Sequence, residues 1–193
     1  MSGALDSPVP PPVLAAAQAR RSYSKVTDDA PTTAELERLL AAAGRVADHS
    51  ALHPWRLIAL RGEARVRLGR ALAAAAGASG SAAASLEAKP LRAPLLIAVV
   101  FSPQPSHKVA EWEQEAVASG VAHLMSLLLH EAGWGVMWRT GPQTRAKKVA
   151  TMHGLAPTEK LLGWLYVGGV PERAGSSHDK ATPLKHRLST LEG

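Results

Sequence analysis

The chain has 193 residues, enough for one domain with a real core, and 46% of them are hydrophobic, although many of those are alanines that fill little volume. Cysteine is absent, which excludes disulfides, a thiolate nucleophile and a cysteine-ligated metal. The formal charge of +6 is spread along the chain, with Arg145, Lys147 and Lys148 the nearest approach to a cluster, so it reads as an arginine-rich surface plus anion-holding arginines rather than as a nucleic-acid interface.

In chain order, residues 1–12 read as an irregular, flexible tail ending in Pro10, Pro11 and Pro12. This opening lacks a basic segment followed by an apolar stretch, so no signal peptide is expected, and a cytoplasmic location is. Pro12 suits the first turn of a helix that runs through VLAAAQARR to about Ser22. Thr32 or Thr33 caps a second helix whose apolar stripe is Leu36, Leu39 and Leu40, with Glu35 strengthening its first turn. A loop, VADHSALHP, leads to a strand, WRLIALRG. A third helix covers about Ala64 to Ala76, and the Gly, Ala and Ser stretch at 77–85 reads as a mobile loop or lid. LLIAVVF has the continuous apolar pattern of a strand buried on both faces. AEWEQEAVASGVAHLMSLLLHEAG is a long helix closed by Gly133 and apolar around most of its circumference, which points to burial at the centre of an assembly such as a dimer. A short strand and tight turn (WGVMWRTG), an amphipathic helix (TRAKKVATMHG), a buried strand (KLLGWLYVGG) and an extended C-terminal arm complete the chain. Residues 13–193 are therefore expected to form a single domain of the α+β class around a central mixed sheet. No apolar run reaches the ~18–20 residues that span a bilayer, so no membrane partner is expected. Neither a G-x-G-x-x-G after a strand nor a P-loop occurs.

Four constellations are candidates to carry chemistry, the last of them better read as structural. Arg20-Arg21-Ser22 places two guanidinium forks and a hydroxyl in three residues, a clamp suited to phosphate, though a solvated helix end has the same composition. The stretch from Arg45 to His53 gathers Arg45, Asp48, His49 and His53 in one loop, a polar pocket candidate with too few carboxylates for a metal site. Trp138-Arg139-Thr140-Gly141 sets a flat ring, a cation and a hydroxyl on a tight turn. Glu113 and Glu115 open the long helix, where acidic groups suit the N-terminus, and their i, i+2 spacing keeps them off a common helix face.

Taken together, RRS at 20–22, A-D-H-x-x-x-x-P-W at 47–55, HKVxxWEQE at 107–115 and GxxWRTG at 135–141 resemble the FMN-dependent nitroreductase family, in particular its short-chain, YdjA-like branch. The likeness covers about Val13 to Pro171. It implies a nitroreductase-like sandwich, with a mixed but mostly antiparallel sheet flanked by helices, in an intertwined homodimer with FMN at the subunit interface. By position it assigns Arg20, Arg21 and Ser22 to the phosphate and ribityl chain, and Arg45 and His49 to flavin contacts. It assigns Trp138, Arg139 and Thr140 to a segment completing the flavin site from the other subunit. Leu128, Leu129, His130, Glu131, Ala132 and Gly133 match a stretch tied to nicotinamide cofactor binding. Two departures stand out: His53 where Gln is common before Pro-Trp, and Ser24 where larger members carry a cation beside the flavin ring.

The implied activity is an oxidoreductase that moves electrons from NAD(P)H through FMN to a small acceptor such as a nitroaromatic or a quinone. The chemistry belongs to the flavin, so no catalytic side chain and no metal is assigned. Competing readings are a flavin-binding relative with another redox reaction (dehalogenation, flavin breakdown or dehydrogenation) and a non-enzymatic basic binding module.

Overall fold

The computed structural model describes residues 11–172, 185 and 187–191. In chain order its helices and strands are α1 (Pro12–Ala19), α2 (Thr33–Ala43), β1 (Trp55–Leu60), α3 (Glu63–Ala75), α4 (Gly80–Ala88), β2 (Leu95–Phe101), α5 (Glu111–Glu131), β3 (Trp134–Arg139), α6 (Lys147–Met152) and β4 (Lys160–Gly169). Single turns of 3-10 helix lie at His49–Ala51, Lys89–Arg92 and Pro142–Arg145. The expected tail at 1–12 falls almost wholly outside the described residues, as does most of the C-terminal arm.

The strands form one sheet in the order β1-β2-β4-β3. A mixed, mostly antiparallel sheet was expected; every pairing among the described residues is antiparallel. The sheet forms because β2 must be covered on both sides: all seven of its residues are buried. Alternation sends Leu95, Ile97 and Val99 to the face covered by α2 and α5. Leu96, Ala98 and Val100 go to the face covered by α3 and α6. Helix α5 presents Ala118, Val121, Ala122, Met125 and Leu129 to the sheet at three- and four-residue spacing. Its Trp112, by contrast, is 74% exposed. No helix among the described residues is long and apolar enough to cross a membrane.

Helix α2 starts as its sequence dictates. The Thr32 hydroxyl accepts from the Glu35 N–H at 3.2 Å, and the Glu35 carboxylate accepts from the Thr32 N–H at 2.8 Å. Two expectations are corrected. Helix α1 ends at Ala19, not near Ser22, and Arg20 is already extended. The cause is the open edge of β3 and the end of β4: the Tyr23 N–H donates to the Val136 carbonyl at 2.9 Å, and that of Thr27 to the Gly169 carbonyl at 2.8 Å. The segment at 77–85 is not a loop, because most of it belongs to α4. Its alanines are strong helix formers, and Gly69 of α3, lacking a Cβ, lets the chain at Glu87 approach closely; a Cβ there would lie 2.4 Å from the Glu87 carbonyl oxygen.

One glycine positions the end of β3. At Gly163, φ is +144°, and a Cβ would lie 2.5 Å from the Arg139 carbonyl oxygen and 2.6 Å from the Trp138 Nε1. Only glycine lets β4 pass this close to the Trp138–Thr140 turn.

Candidate functional site

The turn held by Gly163 stands between two cavities. Strand alternation sends the Trp138 indole toward α5 and Arg139 toward the opposite face, where its guanidinium lies 5.1 Å above the Tyr166 ring. Both leave a buried nitrogen, Trp138 Nε1 and Arg139 Nε, with no hydrogen-bond partner among the described residues. Buried donors of this kind are costly unless something meets them.

The first cavity, about 200 Å3, lies on the α5 side and is lined by Arg20, Ser22, His123, Ser126 and Trp138. Because α1 stops early, Arg20 and Ser22 reach it from an extended segment. His123 and Ser126 stand at i, i+3 on α5, and the His123 ring meets the Trp138 indole edge-on at 4.9 Å. This cavity joins two of the sequence-derived motifs, the Arg20–Ser22 clamp and the Trp138 turn. It does so within one chain, where Trp138 was expected to come from a second subunit. Arg21 is turned away, its Nε donating to the Tyr23 hydroxyl at 2.9 Å. Beneath this region, burial pushes His130 below its ordinary value, helped by the charges of Arg20 and Arg21. The imidazole is therefore neutral at pH 7, and the positive charge here belongs to the arginines.

The second cavity, about 270 Å3, lies across the turn and takes in Arg139 and Thr140 with Lys89, Arg92, Gln143 and Tyr166. Arg139 thus does not share the hollow of Arg20. A third, open groove of about 470 Å3 runs between the loop after α2 and the start of α5, past Val46, His49, Trp112 and Glu113. There the His49 Nδ1 sits 3.3 Å from Glu113 Oε2. The Ala110 N–H, and then His49, hold the Glu113 carboxyl below its ordinary value. The loop carrying His49 is strained: Ser50, Ala51 and His53 all have positive φ, at 64°, 48° and 48°. The Asp48 carboxylate accepts from the His53 N–H at 2.7 Å and ties that turn shut. Arg45 is exposed just ahead of this groove, apart from both other cavities.

The remaining candidates fall at the end of α5. Leu129 is fully buried in the core and Leu128 packs against it. The His130 ring centroid is 6.0 Å from that of Tyr23, while Glu131, Ala132 and Gly133 are exposed at the helix terminus. A helix C-terminus carries partial negative charge, unsuited to a pyrophosphate. In the 107–115 motif, Gln114 is the structural member: its amide donates to the carbonyls of Gln104 and Val109 and accepts from the Gln104 N–H, pinning the loop to α5. Sequence reasoning missed His123, Ser126, Lys89, Arg92 and Tyr166. The first two had a signal, since polar residues at i, i+3 interrupt the apolar run of the long helix. The last three had none, because only packing brings them to the turn. Among the described residues no three His, Asp or Glu side chains cluster as a metal site would require.

Comparison with known proteins gives the family and the fold. Residues 17–169 match the model of the nitroreductase family. The chain is 35% identical over 167 residues to the Escherichia coli (strain K12) protein named "Putative NAD(P)H nitroreductase YdjA", covering 85% of this chain and 91% of that one. A nitroreductase-like family protein from Bacillus cereus superposes with a TM-score of 0.81 at 23% identity, over 97% of this chain and 100% of that one. The FMN and NADPH-dependent nitroreductase NfnB from sphigopyxis sp. strain HMH superposes with a TM-score of 0.72 at 18% identity, over 94% and 99%. The chain therefore belongs to the nitroreductase family.

Proposed function

We propose that this chain is an NAD(P)H-dependent flavin oxidoreductase that holds FMN along the Trp138–Gly141 turn, with the phosphate at Arg20 and Ser22. The observation that carries this reading is the α5-side hollow, where a guanidinium and three hydroxyl or imidazole side chains converge beside a buried indole N–H that lacks a partner among the described residues. Those donors suit a phosphorylated ribityl chain, and a charge-assisted bond to phosphate is roughly twice as strong as a neutral one. The names of YdjA and NfnB, which cite NAD(P)H, NADPH and FMN, support the same choice.

When bound, FMN supplies the two-electron chemistry that couples NAD(P)H oxidation to reduction of a small acceptor such as a nitroaromatic or a quinone. The residues orient and exclude. Arg20 and Ser22 anchor the phosphate, His123 and Ser126 offer hydrogen bonds along the chain, and the Trp138 face shields one side. Thr140, at the tip of the turn, presents a hydroxyl to whatever sits against it. Donor and acceptor would enter the same cleft beside bound FMN, so they would exclude each other and turnover would be ping-pong.

The working unit in this reading is a homodimer. Arg45 and His49 are polar and do not line the first hollow; His49 lines an open groove and Arg45 is exposed just ahead of it. Trp112 is exposed beside them, and β1 has no neighbour on its outer edge among the described residues. A second copy buries Trp112 and brings Arg45 and His49 to the partner's flavin.

Purified protein is expected to be yellow and to bleach under anaerobic NADH or NADPH. Arg20→Ala removes a charge-assisted contact of about 1.5–3 kcal/mol and weakens FMN binding about 10- to 150-fold. Protein that stays colourless with added FMN, or an Arg20→Ala variant that keeps its flavin through gel filtration, overturns the assignment.

A further inference from the structure

The two helix layers carry opposite charge. On the face that holds the α5-side hollow, α2 and α5 bring one Arg against six Glu. On the other face, α3, α4, α6 and the 3-10 turn at Lys89–Arg92 bring seven Lys or Arg against two Glu. The sheet thus sorts the charge to one side, and a one-sided potential steers a protein onto a surface of opposite sign. The basic layer also faces outward. Along α3, Glu63, Arg67, Arg70 and Ala74 are exposed at i, i+4, i+7 and i+11, one stripe of the helix, while Leu68 and Leu72 are buried. Arg70 spends its charge on Glu63 at 3.6 Å. Lys89, Arg92, Lys147 and Lys148 are exposed and take part in no ion pair among the described residues. Two contacts fix the ends of the layer: Arg65 Nη1 donates to the Ala93 carbonyl at 2.6 Å, and Lys148 Nζ to the Ala74 carbonyl at 2.8 Å.

Between these cations the surface is poor in polar groups. No residue of α4 is buried, yet Glu87 is its one charged side chain, and its other residues are Gly, Ala, Ser and Leu. At the end of α4 the chain turns through Lys89–Arg92, where Pro90 is buried and Leu91 is 48% exposed between the two cations. A leucine held outward by a buried proline, with a cation on either side, matches what a bilayer interface takes: an apolar group among the headgroups and cations at the phosphates. Nucleic acid would use such a layer less well. No aromatic residue occurs in α3, α4, α6 or the turn, so nothing there can stack on a base.

We propose that this layer docks on an anionic lipid surface, with Leu91 among the headgroups, Lys89 and Arg92 at the phosphates, and the other cations of the layer adding long-range attraction. This is attachment to one leaflet, not a crossing of the bilayer. The α5-side hollow, on the other face of the sheet, stays turned away from the lipid. The inference does not depend on what that hollow binds, since the residues lining it lie outside this layer.

The test is cosedimentation of the full chain with vesicles of phosphatidylcholine alone, or with about 30% phosphatidylglycerol added, at low and at high salt. The parent protein is expected on the anionic vesicles only, and less of it as salt rises. One cation at such a surface is worth about fivefold in partition, so Lys89→Gln/Arg92→Gln is expected to lower binding about 30-fold. Leu91→Ser weakens binding at unchanged charge. Lys25→Gln/Lys108→Gln removes two exposed cations outside the layer, has the same net charge as the first variant, and keeps most of the binding. All three variants change exposed side chains and are expected to melt with the parent. A parent that ignores anionic vesicles, which needs no variant to fold, overturns the proposal. So does a Lys25→Gln/Lys108→Gln variant that loses as much as Lys89→Gln/Arg92→Gln, or a Leu91→Ser variant that binds as the parent does. Release from the vesicles by a short DNA duplex at equal phosphate concentration overturns it as well, because the layer then serves nucleic acid.

Discussion

Gly163→Ala tests whether one glycine sets the functional turn. The new Cβ would lie 2.5 Å from the Arg139 carbonyl oxygen, about 0.9 Å inside ordinary contact at 3.4 Å, and 2.6 Å from the Trp138 Nε1. The indole can swing away, but the carbonyl is backbone in the β3–β4 ladder, where Arg139 pairs with Trp164. Relief therefore requires the strands to part. Overpacking of this kind costs about 1–3 kcal/mol. A φ of +144° adds strain of about 1–3 kcal/mol for any residue with a side chain. A loss of about 2–6 kcal/mol is expected, a large share of the 5–15 kcal/mol that holds a typical domain together. In urea titration this lowers the midpoint by about 1–2 M at unchanged slope. Because Trp138 and Thr140 move with the strand, flavin retention at temperatures where the variant is still folded falls as well. A variant whose midpoint lies within about 0.2 M of the parent, with flavin intact, refutes the claim that Gly163 positions the turn.

Three further outcomes follow from contacts elsewhere. Gly69→Ala raises helix propensity by about 1 kcal/mol in isolation, yet it is expected to destabilise the protein, because its Cβ meets the Glu87 carbonyl oxygen at 2.4 Å; a higher melting temperature would count against the α3–α4 packing. The Arg56 Nε and Nη2 donate to Glu159 at 2.6 and 2.7 Å and hold its carboxyl at about 2, down from 4.5. Since the folded value is depressed, this stabilisation is present above pH 4.5 and fades toward pH 2. Glu159→Gln should cost about 1–2 kcal/mol near pH 7, a figure discounted because Arg56 is partly exposed, and melting curves of the two proteins should converge as pH drops through that window. Burial pushes His153 below its ordinary 6.5. Its ring sits between the Val149 carbonyl at 2.8 Å and the Trp164 indole N–H at 3.1 Å, an arrangement that needs the neutral imidazole. The unfolded chain therefore takes up a proton first, stability falls as pH drops below 6.5, and His153→Gln should flatten part of that decline in denaturant titrations.

The sequence by itself determined the periodic elements and the motif residues. The apolar run at 95–101, the Thr32–Glu35 cap and the three- and four-residue stripe of α5 each encode their element locally, because hydrophobic period and capping chemistry are properties of neighbouring residues. The four motifs were legible for the same reason, and Arg20, Ser22 and Trp138 do meet in one hollow. What tertiary structure alone decided was which side of the sheet each motif residue serves. Trp138 and Arg139 are adjacent in sequence yet lie on opposite faces, since strand alternation separates what spelling joins. The early end of α1 and the folding of 77–88 into α4 depend on partners far along the chain, the edge of β3 and Gly69 of α3. Lys89 and Arg92 became neighbours of Arg139 only through that packing. A charge that reads as scattered in the sequence is gathered at one cavity because side-chain proximity across elements is set by the fold, not by spacing along the chain.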